Sequence, residues 1–191
     1  MIWTIPNILT VGRLLAAPGV ALAYAAFDRP AADWVALALF ILAAITDFLD
    51  GRLARAWGQE SNFGRMLDPI ADKAIVVIAL AMIIGLSGAN PLILVPVAFI
   101  LLREVFVSGL REYLGADAGQ LKVTPLAKWK TTAQMVAIPV LLLGGVLNAD
   151  GGTDLVLTLG VVLIWFAGGL TLMTGYDYLQ KAMPYLREPR T

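Results

Sequence analysis

Six long apolar runs, separated by short polar or turn-forming pieces, set the pattern of this chain. They occupy residues 8–27, 33–50, 70–86, 91–110, 132–147 and 154–176. A helix that crosses a bilayer needs about 20 apolar residues at a rise of about 1.5 Å each, so each run reads as a spanning helix. Polar residues at several run ends predict helices that continue past the hydrocarbon. Between the runs, Asp28-Arg29-Pro30, Ser87-Gly88-Ala89-Asn90-Pro91 and the stretch 148–153 are turns, too short for a second domain. There is no internal repeat and no low-complexity tract. The expected fold is an all-α polytopic membrane protein with six transmembrane helices, one integral-membrane domain over residues 1–191. The first run has no basic segment ahead of it and holds Arg13 inside it, so it reads as a span and not as a cleaved signal. Pro18, Pro96 and Pro139 fall within spans and are expected to kink them. Trp3, Trp57, Trp129 and Tyr178 are expected at the membrane–water interfaces, where amphipathic rings settle.

Composition narrows the chemistry. The 191 residues are 59% hydrophobic and 15% charged, against roughly 25% charged in soluble domains. An ordinary cytosolic globule and a disordered chain are both excluded. Cysteine and histidine are absent, which removes disulfides, thiolate nucleophiles, Cys/His zinc sites and histidine acid–base catalysis. Any reaction here falls to carboxylates, lysines or hydroxyls, with a hard metal as the natural helper.

Charge then orients the bundle. Fourteen basic residues balance fourteen acidic ones, so no excess of positive charge points to nucleic acid. With six spans and both ends on one side, that side holds residues 1–13, 51–73, 103–131 and 177–191. Thirteen of the fourteen basic residues fall there, and only Arg29 falls on the other side. Cytoplasmic loops carry the excess of Lys and Arg, so both termini are expected in the cytoplasm.

The candidate chemistry lies in residues 47–72, DFLDGRLARAWGQESNFGRMLDPIAD. Asp47 and Asp50 close one apolar run, three residues apart. Asp68 and Asp72 open the next, four apart. Spacings of three and four put side chains on one helix face. A loop between Gly51 and Leu67 would return the chain, so the two helices are expected as antiparallel neighbours with four carboxylates converging at the membrane surface. Four anions together repel and are costly to desolvate, and a hard cation with oxygen preference (Mg2+, Mn2+ or Ca2+) would relieve both. Gly51, Ala54 and Gly64 leave room for a ligand or another backbone, and Arg55 is available to a phosphate. The bland alternative is helix-end charge reaching for water, with glycines serving helix packing.

The spacing Asp47-x2-Asp50-Gly51-x2-Ala54-Arg55-x8-Gly64-x3-Asp68-x3-Asp72 is similar at every defined position to the signature of the CDP-alcohol phosphatidyltransferase family. That family's six-helix membrane bundle agrees with the spans above and covers the whole chain. The resemblance implies displacement of CMP from a CDP-linked lipid by an alcohol hydroxyl. It implies Asp47, Asp50, Asp68 and Asp72 as ligands for Mg2+ or Mn2+, two ions, with Asp72 as general base. It also implies that Gly51, Ala54, Arg55, Ser61 and Gly64 surround the CDP-lipid, with Asn7 and Thr10 of the Asn-x2-Thr-x2-Arg run as further nucleotide contacts. A homodimer is implied as well, with Gly168 and Gly169 available either to it or to packing within the chain.

A second charged segment addresses the acceptor. Glu104, Ser108 and Arg111 share a helix face at about 100° per residue, and Lys122, Lys128 and Lys130 follow. A phosphorylated acceptor needs such cations, although topology or anionic lipid would also account for them. The stretches IPNILTVGRLLAAP, REVFVSGLREYL and KWKTTAQM resemble the bacterial branch of the family that joins glycerol 3-phosphate to CDP-diacylglycerol. That resemblance implies both substrates, a bacterial inner-membrane location with the site facing the cytoplasm, and an acceptor phosphate held among Arg103, Arg111, Lys128 and Lys130. Glu104 would orient an arginine or the glycerol hydroxyls, or pair with Arg111. Thr131 and Thr132 would donate to phosphate or cap the fifth helix. Competing readings are the same chemistry on phosphatidylglycerol, serine or inositol phosphate, and a divalent-cation transporter. A transporter would place its polar residues near the midplane, whereas these aspartates fall at span ends.

Overall fold

A computed structural model describes residues 3–115, 125–149 and 154–187, and the side chains of all these except 125–128, 149 and 187. Among the described residues the chain forms six helices and no strand: α1 (Ile5–Ala26), α2 (Ala31–Trp57), α3 (Asn62–Leu86), α4 (Pro91–Leu114), α5 (Pro125–Ala149) and α6 (Leu155–Arg187). All six contain stretches long and apolar enough to cross a membrane. The helices run through Pro18, Pro96 and Pro139.

Local chemistry sets the ends. Thr4 caps α1 by accepting from Asn7 N at 3.4 Å, and Asn90 caps α4 by accepting from Leu92 N at 3.0 Å, with Pro91 in the first turn. The expected loop between Gly51 and Leu67 is mostly helix. α2 continues seven residues past Asp50, and only residues 58–61 form the turn. Gly58 stops α2 in the left-handed region (φ +61°), its N–H turned back to the carbonyls of Ala54 and Arg55. Ser61 then starts α3 by accepting from Gly64 N at 3.0 Å. The signal for the longer helix was the helix-favouring run RLARAW, which hydropathy alone assigns to a loop. Asp47, Asp50, Asp68 and Asp72 therefore lie within helices, one or more turns in from the hairpin tip.

α1 packs against both α2 and α3, α5 against α6, and α4 against α6, with α2 and α5 joining the two halves. Small residues make the contacts close. Ala17, Ala36, Ala79, Ala137 and Ala167 are fully buried in one core with Phe40, Leu80, Ile100, Ile138 and Ile164. A Cβ on Gly144 would meet Leu157 Cα at 2.7 Å, and one on Gly160 would meet the Leu141 side chain at 2.8 Å. Without a hydrophobic drive between helices in lipid, such close packing is what holds them together. Gly168 serves packing within the chain, since a Cβ there would sit 3.2 Å from Pro96, while Gly169 has open space.

Tyr178 packs inside the protein. It is buried with Val107, Leu114 and Ala182, its hydroxyl accepting from Arg111 Nε at 3.2 Å, a partner that lets a phenol stay inside. Trp3, Trp57 and Trp129 are exposed. At the end opposite the aspartates, Asp33 is buried against Arg29 (2.7 Å) and Tyr24 OH (2.9 Å), and Arg29 Nη2 donates to Gly145 O at 3.1 Å. These bonds tie the start of α2 to α1 and α5.

Candidate active site

The spacing of the aspartates does what it predicts. α2 presents Asp47 and Asp50, α3 presents Asp68 and Asp72, and α1 lies against both helices. Two side chains of α1 gather the four carboxylates. Thr10 Oγ1 is 2.9 Å from Asp68 Oδ1, 3.2 Å from Asp50 Oδ2 and 3.1 Å from Pro6 O. Its single proton can serve one of these acceptors at a time. The Arg13 guanidinium lies among the others. Nη1 donates to Asp47 and Asp72, and Nη2 to Asp50.

Sequence reading counts Arg13, inside the first span, only among the charges that orient the bundle; in the structure its side chain is almost wholly buried, 2% exposed. Burying a cation this way is tolerable only against several anions. The sequence signal was weak: an arginine three residues beyond Thr10, on the same α1 face one turn on.

Two cavities meet on this cluster. One, of about 180 Å³, is lined by Asp50 and Asp68 together with Asn7, Thr10, Gly51, Ala54, Arg55, Ser61 and Gly64. All of the residues expected around the CDP-lipid border it. Ser61 Oγ donates to Asn7 Oδ1 at 3.0 Å, and a Cβ on Gly64 would come within 2.7 Å of that same oxygen. Gly64 therefore makes room for Asn7. At Gly51 a Cβ would meet only the Arg55 guanidinium at 3.7 Å, so its open side faces the cavity.

The other cavity, of about 300 Å³, is lined by Asp47 and Asp72 on one wall and by Lys73, Arg103, Arg111, Lys130, Glu104, Ser108 and Thr131 on the rest. Of the expected acceptor residues, Arg103, Arg111 and Lys130 are here. Lys128 has its side chain outside the described residues, and Lys122 lies outside them altogether. Glu104 pairs with Lys130 and, at 3.4 Å, with Arg103, and not with Arg111, which stacks on the Tyr178 ring at 5.4 Å. Thr131 and Thr132 lie inside α5, which begins at Pro125, so neither caps it. Arg103 Nε is buried without a hydrogen-bond partner, and Gly175 leaves space for its side chain. Lys73 is a cation that sequence reading passed over. It follows Asp72 directly and donates to Ser108 Oγ across α3 and α4.

An apolar groove between α2 and α5 runs beside the cluster. Phe40, Ile41, Ala44, Ile45 and Phe48 form one wall, and Met135 and Pro139 the other. Met135 borders the larger cavity as well, so the apolar groove adjoins the polar site.

The donor set fits a hard divalent cation. Every donor is oxygen, four carboxylates face one guanidinium, and three acceptors share one Thr10 proton. Among the described residues no three acidic side chains are gathered into a ready metal cage; the Arg13 guanidinium stands between them.

The sequence model for CDP-alcohol phosphatidyltransferase matches residues 3–173. A Cereibacter sphaeroides protein named CDP-diacylglycerol–glycerol-3-phosphate 3-phosphatidyltransferase is 57% identical, with both chains covered completely. A Rickettsia bellii protein of that name is 40% identical over 95% of this chain and 96% of its own. An Arabidopsis thaliana protein, numbered 2 under the same name, is 35% identical over 93% of this chain and 79% of its own. The converging aspartates, the six helices and these matches agree: the chain belongs to the CDP-alcohol phosphatidyltransferase family.

Proposed function

We propose that this protein transfers the phosphatidyl group of CDP-diacylglycerol to glycerol 3-phosphate, giving phosphatidylglycerophosphate and CMP. The observation that carries the reading is the pair of cavities meeting on one set of carboxylates, one bordered by Arg55 and small residues and the other by four cations. A nucleotide diphosphate fits the first and a phosphorylated alcohol the second, with reacting atoms between them. The relatives' printed name specifies the same two substrates.

In this reading the cytidine diphosphate lies along Asn7, Gly51, Arg55 and Ser61, and the acyl chains leave through the groove between α2 and α5. Arg103, Arg111, Lys130 and Lys73 hold the acceptor phosphate, and the buried Nε of Arg103 gains the acceptor it lacks. Glu104, already paired with Lys130, sets that cation's position. The acceptor's hydroxyl oxygen attacks the phosphorus bearing diacylglycerol, the phosphoanhydride bond breaks, CMP leaves with the bridging oxygen, and the hydroxyl proton passes to Asp72. Asp72 suits that task because it borders the acceptor cavity and its side chain is 44% exposed.

Members of the family use divalent metal ions. Asp47, Asp50, Asp68 and Asp72 would hold them here, as two Mg2+ or Mn2+ ions, which when bound polarise the diphosphate and neutralise charge on the leaving phosphate. The whole chain acts as one catalytic domain, in the bacterial inner membrane, with both termini and the site facing the cytoplasm. It works as a homodimer, and Gly169, whose Cβ position meets nothing within 4 Å, leaves a face open for that contact.

The deciding experiment supplies purified protein with CDP-diacylglycerol, Mg2+ and a panel of acceptors, and follows CMP release. Glycerol 3-phosphate is expected to drive release. CMP released with serine, inositol phosphate or phosphatidylglycerol but not with glycerol 3-phosphate would reassign the acceptor. No release with any acceptor would defeat the enzyme reading.

A further inference from the structure

We propose that Arg13 is a built-in competitor of the divalent cation: its guanidinium and the metal claim the same carboxylates, and binding of one excludes the other. This rests on the aspartates being the metal ligands.

Three observations carry it. Arg13 reaches three of the four aspartates, drawing on both helices: Asp47 and Asp50 from α2, Asp72 from α3. No other Lys or Arg side chain makes an ion pair with any of the four among the described residues. Lys73 is engaged by Ser108, and the ion pairs of Arg103 and Lys130 go to Glu104. Arg13 thus supplies the positive charge that a metal would supply, holding three mutually repelling anions around one buried guanidinium. Finally, Arg13 Nε is buried with no hydrogen-bond partner. The guanidinium is therefore not fully satisfied where it sits. A buried donor of this kind favours a rearrangement that gives it an acceptor.

The physical consequence is a sign that can be measured. One guanidinium leaves four carboxylates with a large excess of negative charge, so a divalent cation outbids it. The metal must nevertheless displace Arg13, and that competition weakens its apparent affinity. Removing the competitor should therefore tighten metal binding while loosening the fold when metal is withheld.

The test uses the full-length protein in detergent with no lipid substrate, so that no turnover enters. Thermal unfolding followed by tryptophan fluorescence is compared for wild type and Arg13→Gln, in chelator and in saturating Mn2+, and Mn2+ binding is measured by titration calorimetry. Arg13→Gln is expected to melt well below wild type in chelator and level with it in Mn2+, because Arg13 no longer holds the aspartates once metal is bound. Its dissociation constant for Mn2+ is expected to fall by about tenfold, the scale of one lost charge-assisted hydrogen bond. A melting deficit of the same size with and without Mn2+ would make Arg13 a static partner and overturn the proposal, as would unchanged or weaker Mn2+ binding. Wild type that neither binds Mn2+ nor is stabilised by it would remove the metal reading, and the proposal with it. Arg13→Lys serves if the glutamine variant does not fold. One ammonium lacks the fork that spans three carboxylates, so it should show a smaller deficit in chelator that Mn2+ again erases; persistence of that deficit in Mn2+ counts equally against the proposal.

Discussion

Asp72 has two duties in the proposed reaction, and a single substitution separates them. As a ligand it shares the load with Asp47, Asp50 and Asp68; as a base it acts alone, at the edge of the acceptor cavity. Asp72→Asn keeps an oxygen and the side-chain shape but cannot take a proton. Turnover is expected to fall by about 10²–10⁴-fold, the usual worth of general acid–base catalysis, while Mg2+-dependent binding of CDP falls much less. Equal losses would leave Asp72 a ligand only. The acceptor side has its own residue-scale test. Arg111 donates to Tyr178 OH and lies over its ring, so its guanidinium is held in place before any substrate arrives. Arg111→Ala is expected to raise the KM for glycerol 3-phosphate several-fold and to leave that for CDP-diacylglycerol nearly unchanged. The reverse pattern would remove Arg111 from the acceptor site. Sequence reading found Arg111 and Asp72 because each sits in a dense local pattern. It missed the positions of Arg13 and Lys73 because their partners lie 34–59 and 35 residues away along the chain, where periodicity carries no information.

The same limit appears among the elements. All six helices were readable, since each carries an apolar run long enough to cross the bilayer. The hairpin tip was not, because two arginines interrupt the apolar run at residues 51–57 while the helix continues, and only the caps at Gly58 and Ser61 mark where α2 stops and α3 begins. Nor could the sequence say which glycines are contacts. Gly144 packs against the Leu157 backbone, whereas Gly169 meets nothing within 4 Å. Gly144→Ala must push α5 and α6 apart, at a cost of about 1–3 kcal/mol for overpacking, and is expected to lower the melting temperature clearly. Gly169→Ala is expected to leave the melting temperature within error, or to raise it slightly as an alanine replaces glycine in a helix. If Gly169→Ala also shifts the protein from dimer to monomer in detergent, that open face is the contact between copies; an unchanged oligomer would free it from that role.

At the scale of the whole molecule, charge and chemistry lie at the same end. The aspartates, Lys73, Arg103, Arg111 and Lys130 border two cavities at one end of the bundle, while Arg29, Asp33, Ser87, Asn90 and Asn148 surround a third of about 300 Å³ at the other. By the positive-inside rule that asymmetry predicts an orientation: in the proposed reading the first end faces the cytoplasm, where a water-soluble nucleotide would be released and a phosphorylated acceptor would arrive. The chain contains no cysteine, so introduced thiols report without background. Asp28 and Glu60 are both exposed and lie in opposite turns, before α2 and after it. In intact cells a membrane-impermeant maleimide is expected to label Asp28→Cys and to spare Glu60→Cys until the membrane is opened. Labelling in the opposite order would place the aspartate cluster outside the cytoplasm. The basic residues would then orient nothing, and both substrates would have to be supplied from the far side of the membrane.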